Sequence, residues 1–146
     1  MSELEYKMVS STQASYLACL LDTEGTIALY LTGEKKKHLQ PAICIVNTKR
    51  ELLDWTKTTI GFGGVRPRHL SKDEWSDRRK QQWIYGVYNI NDIIIFLEFV
   101  QPFLVIKGTH AELLLIFCKE HILRNSVTDV EMEIYYALKE LNRRGK

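Results

Sequence analysis

The stretch Leu17-Ala18-Cys19-Leu20-Leu21-Asp22-Thr23-Glu24-Gly25 limits what this chain can fold into more than any other. It joins an apolar helix, small side chains at helical spacing and a carboxylate directly before a glycine. Between Ala14 and Thr23 only Ser15 and Asp22 are markedly polar. A helix apolar nearly all round is normally buried. Cys19 and Thr23 fall on one face, and Leu17 and Leu21 on another. Small side chains at Ala18, Cys19 and Thr23 let a second helix approach to about 8–10 Å or less. Gly25 is a natural residue to take positive φ and end the helix. Glu24 then stands where the carbonyl end of the helix dipole disfavours an anion by about 0.3–1 kcal/mol. A compensating cation is expected there.

The chain has 146 residues, is 45% hydrophobic and 26% charged, and fits one globular domain over 1–146. Met1 to Ser10 lacks a basic start and an apolar run, so no signal peptide is expected. Ile93–Leu97 and Leu113–Cys118 are too short to span a bilayer, so no membrane partner is expected. Cys19, Cys44 and Cys118 form no paired motif. They point to a reducing, intracellular setting and away from structural zinc. Organelle, archaeal and bacterial settings all fit.

A net charge of +2 decides little, but its distribution does more. Lys35-Lys36-Lys37 form one basic cluster. Arg66, Arg68, Lys72, Arg78, Arg79 and Lys80 form another, against Asp73, Glu74 and Asp77. From Glu112 to Glu140 the balance is acidic. Either one part of the chain faces a polyanion and another solvent, or these runs are solvated loops.

After Gly25 the periodicity becomes two. Ile27, Leu29 and Leu31 alternate with Thr26, Ala28, Tyr30 and Thr32. A lysine-rich turn leads to a second strand with Ile43 and Ile45 inward, where Pro41 suits an edge or a strand start. Asn47 or Thr48 is placed to cap a helix running to about Ile60, with Leu52, Leu53, Thr56 and Ile60 on one face. The order then repeats, with strands at Val65–Arg68 and Gln82–Tyr88. A helix from about Asp92 to Val100 follows, capped by Asn89 or Asn91 and closed by Pro102. Two further helices are expected at about Thr109–Leu123 and Thr128–Asn142. The last carries an apolar stripe of Val130, Ile134, Ala137, Leu138 and Leu141. The expected fold is α+β, a four-stranded antiparallel sheet with helices on one face. The other face would offer Ala28, Tyr30, Thr32, His38, Gln40, Ala42, Cys44, Arg66, Arg68, Gln82 and Ile84. Arg can pair with guanine, Gln with adenine, and an apolar side chain can touch a thymine methyl.

The nonapeptide resembles the LAGLIDADG motif of homing endonucleases. Leu17, Ala18, Leu20, Asp22 and Gly25 match it letter for letter, Leu21 and Glu24 are conservative replacements, and Cys19 and Thr23 stand for its Gly and Ala. The order of elements agrees from about Ala14 to Ile106. The resemblance implies an αββαββα fold whose sheet forms a DNA-binding saddle, with C-terminal helices added. It implies a site-specific double-strand DNA endonuclease, intron-encoded, acting by metal-dependent phosphodiester hydrolysis. With a single motif it implies a homodimer on a long pseudo-palindromic site, packed through Ala18, Cys19, Asp22 and Thr23. Candidate DNA contacts are Tyr30, Thr32, Lys36, His38, Gln40, Arg66, Arg68, Gln82 and Ile84.

Glu24 is the expected catalytic acid and ligand of Mg²⁺, for which Mn²⁺ can substitute. Asn47 stands where relatives often carry a glutamine that orients water, though a helix cap explains it equally. Lys107, after Gln101-Pro102-Phe103-Leu104-Val105-Ile106, resembles a family lysine near the active site, though an ordinary surface lysine explains it equally. Arg50 is the candidate basic residue at the start of the second helix. The alternative is an intron maturase that binds RNA, or a DNA-binding protein of this fold that does not cut. The histidines are not clustered for a His-metal nuclease, and no phosphate-binding glycine loop is present.

Overall fold

In the computed structural model the described residues are 9–36, 38–69, 80–123 and 126–143, with Lys36 described by its backbone alone. The expected basic residues Lys37, Lys72, Arg78 and Arg79 lie outside this set, as do Met1 to Met8.

Helix α1 (Ser11–Glu24) opens on a capping box. The Ser10 hydroxyl accepts from the Gln13 N–H at 3.1 Å, and the Gln13 side chain accepts from the Ser10 N–H at 3.0 Å. The helix is not buried all round. Ala14, Leu17, Ala18, Leu21 and Asp22 pack inward, while Tyr16, Cys19 and Thr23 are exposed. Gly25 differs from expectation as well. Its φ is −110°, an ordinary extended value. Glycine is needed there for room, because a Cβ would stand 2.6 to 2.9 Å from the Leu21 side chain, carbonyl and Cα.

Strands β1 (Gly25–Thr32) and β2 (His38–Asn47) form a long hairpin, joined through a short 3-10 turn at Glu34–Lys36. Helix α2 (Arg50–Ile60) follows and ends on Gly61 at φ 95°, a value glycine adopts without strain. Strands β3 (Gly64–Pro67) and β4 (Trp83–Val87) form the second hairpin. Helix α3 (Ile90–Val100) is capped by Asn89, whose side chain accepts from the Asp92 N–H. A 3-10 turn at Gln101–Phe103 leads to α4 (Gly108–His121) and α5 (Asp129–Leu141).

The sheet has the order β1-β2-β4-β3, antiparallel throughout. Pro41 sits inside β2 opposite Leu29, but β4 joins β2 only from Ile43 onward. On its other side Pro41 therefore has no neighbouring strand to disappoint. Ile27, Leu29, Ile43, Ile45, Tyr85 and Val87 line one face and pack with Leu17, Leu21, Leu53, Phe96 and Leu97 of the helices. Each such burial contributes about 1.5–3 kcal/mol. The Tyr85 hydroxyl is satisfied by the Phe62 carbonyl at 2.9 Å.

The C-terminal helices add a second layer. The stripe expected on α5 is half right: Ile134 and Leu138 are buried, but Val130, Ala137 and Leu141 are exposed. Glu131 takes the missing inward place. Its carboxylate caps the Thr128 N–H at 3.0 Å and meets His121 Nδ1 at 2.9 Å. At the other end of α5, the Asn142 side chain donates to the Ile27 carbonyl at 2.9 Å, fastening the helix to β1.

Candidate functional site

The helices leave one sheet face open, and strand register arranges it in rows. From the hairpin tip the rows run Thr32 with His38, Tyr30 with Gln40, and Ala28 with Ala42. Next comes Thr26–Cys44–Gly86–Gly64, then Val46–Ile84–Arg66. Arg68 and Gln82 continue past the end of β3 and β4, where the Arg68 N–H still reaches the Gln82 carbonyl at 2.8 Å. Each expected face residue with a described side chain thus lies on this face, and Lys36 belongs to the turn at its tip. From His38 to Val46, β2 extends about 27 Å at about 3.4 Å per residue. That is about eight base pairs of duplex.

Several of these side chains are already engaged with one another. Arg68 Nη1 donates to Gln82 Oε1 at 2.7 Å. Gln40 Nε2 donates to the carbonyls of Pro41 and Tyr88, at 2.8 and 2.9 Å. Arg66 Nη2 donates to the Tyr88 hydroxyl at 3.2 Å, and that hydroxyl lies 3.7 Å from Cys44 Sγ. Burial holds the hydroxyls of Tyr30 and Tyr88 above the ordinary phenol pKa, so both stay protonated at neutral pH. Tyr88 lies one residue past β4, on the face that strand alternation gives to Gln82, Ile84 and Gly86. Gly86, two residues earlier on the same face, is the sequence signal that leaves room for its ring.

A second group gathers where α1 meets β1. Glu24 ends the helix with an exposed carboxylate that has no hydrogen bond or ion pair among the described residues. Glu24 directly precedes β1, whose first residue Gly25 faces Ile45, and the next residue of β2, Val46, shares its row with Ile84 and Arg66. The cation expected at this helix end is Lys107, whose amine donates to the Asp22 carbonyl at 3.0 Å.

Asp22 turns into its own chain. It is 8% exposed, and its carboxylate accepts from the backbone N–H groups of Val105, Ile106 and Lys107 at 2.8, 3.1 and 2.9 Å. The clamped loop leaves the side chains of Val105 and Ile106 in solvent, 88% and 65% exposed. Ala18, at 0% exposure, also lies within its own chain's core. Of the four expected contact residues, Cys19 and Thr23 remain on the surface.

Asn47 ends β2 opposite Trp83, on the helix-packed side of the sheet. Neither it nor Thr48 caps α2; the N-cap is Lys49, without a side-chain bond. The Asn47 amide oxygen instead accepts from the Lys49 N–H at 2.8 Å, closing a local turn. Arg50 lies over the Trp83 ring at 4.6 Å and pairs with Asp54 at 3.5 Å. No group of three or more His, Cys, Asp or Glu able to hold a metal occurs among the described residues. At this corner Glu24 offers an exposed carboxylate, while that of Asp22 is engaged by backbone donors.

No protein-family model matches the sequence, and no curated protein does. Solved structures do. The homing endonuclease I-CvuI, in complex with its target in the presence of calcium, is 19% identical with a TM-score of 0.71. That match covers 93% of this chain and 85% of I-CvuI. The archaeal intron-encoded homing endonuclease I-Vdi141I, complexed with DNA, is 16% identical with a TM-score of 0.72, covering 92% of this chain and 87% of the other. The LAGLIDADG meganuclease I-AabMI, bound to uncleaved DNA, is 20% identical with a TM-score of 0.68. Here the match covers 88% of this chain but 44% of I-AabMI.

Proposed function

We propose, from the premise that this chain has the LAGLIDADG homing-endonuclease fold, that it is a site-specific double-strand DNA endonuclease working as a homodimer. One observation carries this most directly. An exposed acid, without a hydrogen bond or ion pair among the described residues, ends α1 directly before the first strand of the open face. A reading surface and an exposed carboxylate thus share one frame. The structural neighbours I-CvuI and I-Vdi141I are homing endonucleases complexed with DNA, which supports the same activity here.

The open face would lie in the major groove, which admits a two-stranded ribbon and offers a distinct donor and acceptor pattern for each base pair. Tyr30, Thr32, His38 and Gln40 would read the outer bases. Ile84, Arg66, Arg68 and Gln82 would read those nearer the scissile phosphates. Lys36 would meet the backbone.

Two copies account for what one chain lacks. Mg²⁺ is held in such sites by one or two carboxylates with substrate phosphates. One exposed carboxylate at this corner of each chain fits an ion shared across a twofold axis. Glu24 from each chain would hold the metal, which when bound supplies Lewis-acid and water-activating chemistry to phosphodiester hydrolysis; Mn²⁺ would serve similarly. Lys107 would counter negative charge developing on the phosphate, and the Asn47 amide would orient water. One unit of this fold nearly fills I-CvuI but under half of I-AabMI, which supports a working assembly of two. Cys19 and Thr23, beside Tyr16, would meet the partner helix. An intron origin fits I-Vdi141I, which is described as intron-encoded.

Cleavage of a randomised duplex library, with and without Mg²⁺, tests the proposal. A recovered site with twofold character, cut only with metal, is expected. Metal-independent binding to intron RNA without DNA cutting would favour a maturase instead.

A further inference from the structure

Tyr88 follows β4 and bends back across the open face. The row beneath it is Thr26–Cys44–Gly86–Gly64, so half of that row has no side chains. A Cβ added at Gly86 would stand 2.6 Å from the Tyr88 hydroxyl oxygen and 2.7 to 2.8 Å from ring carbons. The end of the tyrosine therefore occupies the space that glycine leaves. Its backbone is fixed as well, because the Tyr88 carbonyl accepts from Gln40 Nε2 at 2.9 Å.

From that seat the hydroxyl oxygen accepts from Arg66 Nη2 at 3.2 Å. The hydroxyl keeps its proton at neutral pH and can offer it to Cys44 Sγ, 3.7 Å away. Arg66 is otherwise an exposed side chain on a four-residue edge strand. An arginine held in one rotamer loses less freedom on docking than a free one. The donors not used by Tyr88 remain for the O6 and N7 of a guanine.

We propose that Tyr88 is a positioning residue for sequence specificity, whose hydroxyl, seated over Gly86, sets the Arg66 guanidinium for one guanine of each half-site. The inference rests on the proposal that the open face binds duplex DNA. It gives Tyr88 a part in reading a base that it does not itself touch.

The test uses the full chain and the duplex that wild-type protein selects from a randomised library. Competition binding at fixed salt gives the discrimination at each base pair. Arg66→Ala marks the pair that Arg66 reads. Tyr88→Phe keeps the ring and loses the hydroxyl. At the Arg66 pair its discrimination is expected to fall about tenfold. Other pairs and affinity for unrelated duplex should stay within about twofold, since the arginine charge remains. If Tyr88→Phe fails to fold, Gly86→Ala, which displaces the hydroxyl, carries the same expectation. Wild-type discrimination at the Arg66 pair, or a uniform loss at every pair, would overturn the inference. Wild-type protein with no sequence preference at all would instead overturn the proposed function, and this inference with it.

Discussion

Asp22 and Lys107 hold each other at both ends. The Asp22 carboxylate accepts the Lys107 backbone N–H at 2.9 Å, and the Lys107 amine donates to the Asp22 carbonyl at 3.0 Å. The start of α4 is thereby fixed to the last turn of α1, two residues before Glu24. The first acid of the nonapeptide thus fixes a cation at the end of the helix that carries the second.

Asp22→Ala should therefore act on stability and activity together. It strands three backbone donors, and bonds to a charged acceptor are worth about 1.5–3 kcal/mol each, of which water recovers part. A loss of about 2–4 kcal/mol in urea unfolding is expected. Wild-type stability would show that the loop needs no clamp.

Glu24→Gln removes a negative charge from an exposed position. Folding and DNA affinity should stay near wild type, while cleavage falls at least about a hundredfold. Full cleavage by this variant, assayed on the selected site with Mg²⁺, would dismiss Glu24 from the chemistry.

Cys19 stands on the bare flank of α1. Cys19→Trp leaves the chain's own core alone but cannot fit between close helices. For the proposed dimer, sedimentation should show the dissociation constant raised about tenfold or more, equivalent to about 1.4 kcal/mol. An undisturbed dimer would move the contact elsewhere.

His110 gives a pH dependence. Burial first, then the neighbouring Lys107 cation, hold its imidazole below the ordinary value of 6.5, outweighing the pull of Leu141, Asn142 and Asp22. The unfolded chain then binds this proton more readily than the folded one. The contribution to stability is complete above the unfolded value and is lost as pH falls from there towards the folded value. Urea unfolding between about pH 7.5 and pH 5.5 should show a shallower decline for His110→Gln than for wild type. Equal slopes would place the acid sensitivity in other groups.

Much of the fold was legible from periodicity. Alternation from Thr26 to Leu31 and from Trp83 to Tyr88 fixed which residues share a face, because a pleated strand leaves each side chain only two directions. Less legible was which of two apolar flanks a helix buries. On α5, a charged Glu131 goes inside because His121 and the Thr128 N–H satisfy it, while Val130 stays outside. Pattern alone favours the valine. The intrachain partners of Asp22 were illegible for a related reason: they are backbone groups of a loop more than eighty residues away, and backbone groups leave no mark on a sequence. Gly25 was placed correctly but for another reason, since crowding by Leu21 leaves the same letter as a left-handed turn.

Asn142 has a consequence for solubility. By engaging the Ile27 carbonyl it brings α5 along the outer edge of β1, and the opposite edge, β3, is only four residues long. A bare sheet wide enough to lie along a duplex could otherwise recruit other chains strand by strand into aggregates. With one rim sheltered and the other cut short, the molecule keeps its broad exposed surface while offering little template for fibril growth.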